Sequence, residues 1–271
     1  MRESLIIIII LFLFVACGGC ENKRASESKA TTLSEDFEAK EMLQGIWVDD
    51  DTDMPLFMIE GDSLYFSDSQ SLPLYFKILK DSLYMYGHEK LSYGIDHLTK
   101  FRFWFHSLSD ELVKLYRSEN DLDSVFFTTK VADPIPTYTS VVQKDSVVYY
   151  KDTRYRGYVY INPSQIKVSK TMYTEEGLSQ ELVYFDNVIH ICVYDGAKSL
   201  YAQDITKELF KDLMEEDFYN QSILSDMDFL GVDSKGYHYL ASVCIPESVV
   251  CNLIKITISF DKELTLQPIS Y

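Results

Sequence analysis

Four acidic residues near a predicted first strand have the spacing of a calcium loop. Positions 1, 3, 5 and 12 of an EF-hand-like loop, which binds Ca²⁺ through several carboxylates, are occupied by Asp49, Asp51, Asp53 and Glu60. Position 6, where such a loop needs glycine for its sharp turn, is Met54. The pattern therefore favours an acidic β-turn, and a weak calcium site is the alternative.

Three cysteines lie beyond the N-terminal segment: Cys192, Cys244 and Cys251. Cys244 and Cys251 flank a short loop, so a hairpin there would bring their thiols face to face, and we expect them to form a disulfide. His190 shares a predicted strand face with Cys192, as His238 does with Cys244. These pairs would make a zinc site if their strands were neighbours, although buried thiols and partly buried histidines are commoner.

The other histidines, His88, His97 and His106, lie beside no serine or cysteine nucleophile pattern. The sequence also contains no Gly-x-Ser-x-Gly, His-Glu-x-x-His, Walker or Gly-x-Gly-x-x-Gly motif. We therefore expect a non-enzymatic protein that needs no cofactor. The alternative is a hydrolase with its site between two domains, because catalytic groups in β folds often lie far apart in sequence.

The composition indicates a folded, acidic protein. The chain of 271 residues carries 42 acidic and 25 basic side chains, a formal net charge of −17. Such a charge argues against nucleic acid as a partner, since a nucleic-acid binder needs clustered Lys and Arg. Hydrophobic residues make up 46% and aromatic residues 14%, which is too much apolar surface for a disordered chain.

The N-terminus predicts a lipid anchor. An apolar run from residue 5 to 16 follows one arginine and has the length of a signal-peptide core, too short for a spanning helix. The ending Phe-Val-Ala-Cys (14–17) resembles a bacterial lipobox, which implies that 1–16 is a signal peptide and that Cys17 is lipidated. A Cys-x-x-Cys redox motif at 17–20 is the alternative. The polar segment 17–36 is predicted to be a flexible tether.

Residues 37–130 are predicted to form a β domain. A short helix is expected around 34–43, followed by eight short segments of alternating polarity at a spacing typical of an antiparallel meander. These segments are 45–48, 56–59, 63–67, 74–79, 82–86, 91–95, 100–106 and 111–117. Gly45-Ile46-Trp47 resembles the Gly-x-Trp signature of lipocalin-like barrels, so we expect a small barrel.

The interior of this barrel offers a candidate ligand face. Phe101, Phe103 and Phe105 alternate with polar or mixed residues and, with Trp47, would line one side of the sheet. An eight-stranded barrel either fills its interior with its own side chains or holds one small ligand. We regard the filled barrel as the main interpretation and binding of a small apolar ligand as the alternative.

Residues 138–271 are predicted to form an α+β domain, after a proline-rich boundary at 131–137 that favours non-sheet conformation. Strands are expected at 146–150, 155–161, 165–169, 182–185, 188–194, 227–232, 237–245, 253–260 and 264–269, with one central helix at 204–219. The segments Phe-Asp-Asn-Val-Ile (185–189), Asp-Ile-Thr-Lys (204–207) and Ala-Ser-Val-Cys-Ile-Pro (241–246) resemble the C-terminal domain of Bacteroidota-type lipoproteins, a domain of unknown function. The resemblance implies a location in the cell envelope and a fold, but no activity.

The sequence as a whole therefore predicts a mainly β protein of the cell envelope. It would be anchored in the outer membrane by its lipid, facing the periplasm or the cell surface, and would act as a non-enzymatic binding or interaction module. Its partners would be the membrane and either a small apolar ligand or an envelope protein. A scaffold of an outer-membrane complex is a further alternative, which predicts a large exposed apolar patch.

Overall fold

The computed structural model describes residues 34–128 and 130–269. The predicted signal peptide, Cys17 and the tether up to residue 33 lie outside the described residues. The first element is helix α1 (Phe37–Met42), whose N-cap Asp36 accepts a 2.9 Å hydrogen bond from the backbone N–H of Ala39. This helix confirms the prediction for 34–43.

The N-terminal part is a closed antiparallel barrel of eight strands. Each strand pairs with the next along the chain, and β1 also pairs with β8, which closes the sheet. The strands are β1 (Gly45–Asp49), β2 (Pro55–Glu60), β3 (Ser63–Phe66), β4 (Leu74–Leu79), β5 (Ser82–Tyr86), β6 (Lys90–Leu98), β7 (Arg102–His106) and β8 (Leu112–Arg117). The predicted eight-stranded meander is confirmed.

The connecting segment contains a 3₁₀ helix (Asp121–Phe127) and a two-residue strand, β9 (Ile135–Pro136). β9 pairs in parallel with Tyr184 and Phe185 of β12, so the prediction that 131–137 lies outside a sheet was wrong. Proline is tolerated there because it lies on a short edge strand, where its missing N–H costs no ladder bond.

Two sheets form the C-terminal part and share one hydrophobic core. The first contains β10 (Val142–Tyr150), β11 (Thr153–Tyr173), β12 (Ser179–Asp195) and β13 (Lys198–Ile205) in sequential order, with β9 at one edge. The second contains β14 (Ile223–Asp233), β15 (Gly236–Cys244), β16 (Cys251–Ile258) and β17 (Leu264–Ile269). Of the residues that the structure describes, 59% lie in strands and 11% in helices, so the fold is mainly β as predicted.

Several C-terminal elements differ from the prediction. β11 and β12 each run unbroken where the sequence indicated two strands, because β11 passes Pro163 with only a shift of register before Lys167. β13 was not predicted. The single helix expected at 204–219 is instead the end of β13, a 3₁₀ helix (Lys207–Leu213) and helix α2 (Glu216–Gln221). Thr206 occupies the N-cap position of the 3₁₀ helix without making a side-chain capping bond.

The barrel is joined to the first sheet by hydrogen bonds. The backbone N–H of Leu72 donates to the carbonyl oxygen of Glu181 at 2.8 Å, and that of Val183 donates to Gln70 at 3.2 Å. The barrel loop thus covers an edge of β12 that would otherwise stay unpaired. From Ser34 onward the chain forms one compact unit. None of the helices in the described part has the length and apolar character needed to cross a bilayer.

Candidate functional site

The outer face of β11 carries an unusual row of side chains. Alternate residues of β11 point to opposite sides of the sheet. Val159 and Ile161 face the core and are almost fully buried, so residues 154, 156, 158 and 160 face outward. We call the outward set the tyrosine face; it consists of Arg154, Arg156, Tyr158 and Tyr160 from β11 with Tyr194 from β12.

The rings of the tyrosine face form a continuous series. The rings of Tyr158 and Tyr160 are nearly parallel, at an interplanar angle of 16° with their centroids 6.0 Å apart. Tyr194 meets Tyr158 edge-on, with the centroids 5.8 Å apart. The guanidinium of Arg156 lies 4.8 Å above the ring of Tyr158. These contacts hold the rings in place, so their side chains lose less conformational entropy when a ligand binds.

The charged groups of this face are both positive, in a chain of net charge −17. Arg156 donates from Nε to a carboxylate oxygen of Asp145 at 2.8 Å. Arg154 is exposed and forms no ion pair within the described residues. A groove of about 340 Å³ is lined by the tyrosine face with Gly196 and Ala197. The groove thus offers aromatic surface beside one unpaired guanidinium.

The far end of the tyrosine face is polar. The His190 ring lies 6.1 Å from that of Tyr160, and its Nδ1 forms a 2.6 Å hydrogen bond with a carboxylate oxygen of Asp204. Cys192, which lies between His190 and Tyr194 on β12, is 3% exposed, and burial raises the pKa of its thiol. A buried thiol with a raised pKa is a poor nucleophile. The arrangement is therefore suited to binding and lacks an activated nucleophile.

A second concave site lies beside the loop that joins β15 to β16. Cys244 and Cys251 are opposite each other on these strands and are joined by a disulfide, the pairing expected from the sequence. Lys170 donates from Nζ to the carbonyl oxygen of Pro246 at 2.6 Å, and Tyr184 donates from Oη to Glu247 at 3.1 Å. Burial lowers the pKa of Lys170, and burial with this bond to Glu247 raises the pKa of Tyr184.

This second site is mostly apolar. Its cavity of about 370 Å³ is lined by side chains that include Ile135, Pro136, Ile223, Ile245 and Pro246. The polar side chains that line it, such as Tyr184, Glu247 and Ser248, already form hydrogen bonds within the protein. The cavity therefore offers apolar contact but few free polar groups to orient a ligand, and specific recognition depends on such groups.

The candidate ligand face in the barrel is hydrophobic core. Trp47, Phe103 and Phe105 have exposed fractions of 0%, so no water-sized space adjoins them. Trp47 and Phe103 pack edge to face with centroids 5.7 Å apart. Phe101 precedes β7 and is 54% exposed, so it does not belong to this face. The prediction of a shared aromatic face was wrong for Phe101, and the other three leave no room for a ligand.

Three of the four acidic residues of the calcium-like pattern make other contacts. The Asp49 carboxylate accepts hydrogen bonds from the backbone N–H groups of Asp51 and Thr52, as in a capped turn. Asp53 accepts one from the Tyr116 hydroxyl, and Glu60 forms an ion pair with Lys130. Within residues 34–128 and 130–269, no three His, Cys, Asp or Glu side chains come together with the geometry of a metal site.

The histidine–cysteine pairs also stay apart. His190 and Cys192 share one face of β12, whereas His238 and Cys244 belong to β15 in the other sheet. His238 is 6% exposed and pairs with Asp233 at 2.8 Å. The predicted condition for zinc, neighbouring strands, is therefore not met.

The comparisons with known proteins identify the C-terminal part. Residues 120–266, more than half of the chain, match the family model described as domain of unknown function DUF4738. This chain belongs to the DUF4738 family. The DUF4738 region begins at Asn120 and so includes the 3₁₀ helix and β9, which lie before the predicted domain start at 138. No curated protein matches the chain.

Sequence reasoning missed the tyrosine face, although its strand was predicted. The signal was present in the order Arg-Tyr-Arg-Gly-Tyr-Val-Tyr at 154–160, in which every second residue is a long polar or aromatic side chain. Because tyrosines occur at both 155 and 158, the pattern alone did not reveal which side of the strand is buried. The tyrosine face lies wholly inside the DUF4738 region.

Proposed function

We propose that this DUF4738 protein is a non-enzymatic binding module of the cell envelope, and that the tyrosine face is its binding surface. The observation that carries the proposal is the row of Tyr158, Tyr160 and Tyr194 beside an unpaired Arg154 on an open sheet face. Tyr and Arg are the residue types that dominate binding energy in protein interfaces.

The buried residues on the opposite side of the same strands hold the tyrosine face rigid, which makes it suited to binding. The inward residues of the same strands, such as Val159, Ile191 and Val193, are at most 1% exposed and belong to the shared core. A surface held on rigid strands keeps its geometry without a ligand. Burial also raises the pKa of the Tyr160 hydroxyl, so it stays protonated and can donate a hydrogen bond.

The proposed place of the module is the outer membrane, with the lipid on Cys17 as anchor and the folded part facing the periplasm or the cell surface. Several acyl chains on one residue give stable anchoring, whereas one chain binds only marginally. A flexible tether such as 17–36 would hold the folded part roughly 25 Å from the membrane. The tyrosine face would then be free to meet a partner in the envelope.

The structure offers little to a hydrolase between the domains. Four of the five histidines have separate carboxylate partners: His88 lies near Asp217, His106 near Asp110, His190 near Asp204 and His238 near Asp233. His97 packs against Trp104. No convergent acid–base set arises from such dispersed pairs.

A scaffold of an outer-membrane complex is the second candidate, and one observation favours it. The segment between the barrel and the sheets exposes Leu122 by 72%, Val125 by 63% and Phe126 by 46%. Clustered exposed apolar side chains of this kind are typical of protein contacts. Chemical cross-linking in intact cells would trap a protein partner at this segment if the scaffold role is correct.

Native mass spectrometry of the full chain, gently extracted from its own membrane, tests the binding function. We expect an added mass on the wild type that is lost with Tyr158→Ala and Tyr160→Ala. The matched control is Tyr173→Ala, which removes another exposed tyrosine of β11 outside the groove. Retention of the added mass by all three variants would show that the tyrosine face is not the binding surface.

A further inference from the structure

We infer that the ligand of the tyrosine face is a sugar chain that carries carboxylate groups. This inference rests on the proposed function and names the class of ligand. It follows from four features of the groove: the backbone pairing of its strands, the spacing of its rings, the unpaired guanidinium and its open shape.

The first feature is that the backbone of the face is already paired. β11 lies between β10 and β12, and the pairings Tyr158↔Asp145 and Tyr158↔Cys192 place it inside ladders on both sides. A peptide that binds by adding a strand needs an unpaired edge. The groove has none at β11, so its ligand must be recognised by side chains.

The second feature is the chemistry and repeat of the rings. A tyrosine presents an apolar face and a polar hydroxyl, and a sugar ring likewise presents apolar C–H faces and hydroxyls. The Tyr158 and Tyr160 rings are nearly parallel and 6.0 Å apart along the strand. Such a repeat suits a ligand that itself repeats one ring after another.

The third feature is the unpaired cation. Arg154 is exposed and has no ion-pair partner among the described residues, whereas Arg156 is held by Asp145 at 2.7 Å. A guanidinium binds a carboxylate through two parallel hydrogen bonds. Because Asp145 balances Arg156, Arg154 is the uncompensated charge among the residues that line the groove, and in a chain of net charge −17 it attracts an anion there.

The fourth feature is the shape of the groove. Its volume of about 340 Å³ is open to solvent, and one end is formed by Gly196 and Ala197, which have little or no side chain. Sites for small molecules usually enclose most of the ligand. Because the groove is open and the small residues at one end do not block it, a longer chain can lie across the rings and continue beyond them.

Titration of the full chain in detergent with hexamers of galacturonic, mannuronic and guluronic acid tests the inference. Each hexamer is compared with its methyl ester, which keeps the rings and removes the charge. We expect at least one acid to bind about 10-fold or more tightly than its ester, since a hydrogen bond to a charged group is stronger than a neutral one. This preference should decline as salt is added.

Variants locate the binding. Arg154→Ala should abolish the preference for acid over ester, and Tyr158→Ala should weaken both forms by about 10-fold. The matched controls are Arg102→Ala, which removes an exposed arginine of the barrel, and Tyr173→Ala; both should bind like the wild type. Unchanged thermal unfolding of the two groove variants would show that they remain folded.

Three results would overturn the inference. Esters that bind as tightly as acids would indicate a neutral sugar, and a poly-glutamate peptide that binds more tightly than any hexamer would indicate an acidic protein. If no hexamer binds while the native added mass still depends on Tyr158, the ligand class is wrong but the binding function stands. If the added mass is also independent of Tyr158, both proposals fail.

Discussion

The carboxylate of Asp186 accepts a 2.7 Å hydrogen bond from the backbone N–H of Leu224, and this bond joins the two C-terminal sheets. Asp186 is 2% exposed and lies on β12, whereas Leu224 is on β14. The same oxygen accepts a second bond from the backbone N–H of Asn187 at 2.8 Å. One buried carboxylate thus satisfies two buried donors.

Replacing this carboxylate should destabilise the fold. Asp186→Ala leaves both donors unpaired, and each unpaired buried donor costs about 1–3 kcal/mol. We expect the free energy of unfolding to fall by about 2–4 kcal/mol. Urea denaturation followed by circular dichroism measures it, with Asp195→Ala, an exposed aspartate at the end of the same strand, as control. Equal losses in the two variants would contradict this role.

The same residue should make stability depend on pH. Burial raises the pKa of Asp186, although the bonds from Asn187 and Leu224 oppose the shift. Because the pKa is higher in the folded state, the stabilisation from protonated Asp186 is complete below the unfolded pKa of about 3.9 and is lost as pH rises through the folded pKa.

The variant Asp186→Asn isolates this effect, because asparagine keeps an acceptor oxygen but does not titrate. The free energy of unfolding of the wild type, minus that of the variant, should decrease as pH rises from about 4 and then level off. Urea titrations at a series of pH values give this difference. A difference that stays constant with pH would show that the Asp186 pKa is not raised.

The barrel core predicts opposite results for two nearby phenylalanines. Phe103 is fully buried, so Phe103→Ala should cost about 3–5 kcal/mol of unfolding free energy. Phe101 is 54% exposed, and Phe101→Ala should change it by less than about 0.5 kcal/mol. Urea midpoints of the two variants give the comparison. Similar losses would mean that both rings lie in the core.

Close packing across the two C-terminal sheets should make Gly157 hard to replace. A Cβ atom at this position would lie 2.3 Å from Cγ of Phe229. Gly157→Ala should therefore cost about 1–3 kcal/mol through overpacking. Gly94→Ala is the control, since a Cβ there meets no atom within 4 Å. Thermal unfolding of both variants checks the difference, and an unchanged midpoint for Gly157→Ala would refute the contact.

The proposed anchor has a direct chemical test. Cells that express the full chain are fed a palmitate analogue bearing an alkyne, and the protein is then labelled by coupling to the alkyne. We expect label on the wild type and on Cys20→Ser but none on Cys17→Ser. Once its signal peptide is cleaved, the Cys17→Ser variant should also be lost from the membrane fraction. Label on the Cys17→Ser variant would show that the lipid is attached to a residue other than Cys17.

The sequence by itself determined the features that depend on local chemistry. Alternation of apolar residues and turn chemistry in the first half predicted all eight barrel strands, because each hairpin joins neighbours along the chain. Cys244 and Cys251 likewise flank a single hairpin, which brings them together by short-range geometry. The segment resemblances also predicted a C-terminal domain of unknown function, and the family match confirms such a domain, although it begins earlier, at Asn120.

Only the tertiary structure decided which strand faces are buried. Phe101 fits the alternation of Phe103 and Phe105, yet it lies beyond the end of β7 and stays exposed. On β11, aromatic residues occupy both faces, so only packing of the second sheet against Val159 leaves Tyr158 and Tyr160 outside. The physical reason is that burial depends on contacts between residues far apart in sequence, which a local pattern does not contain.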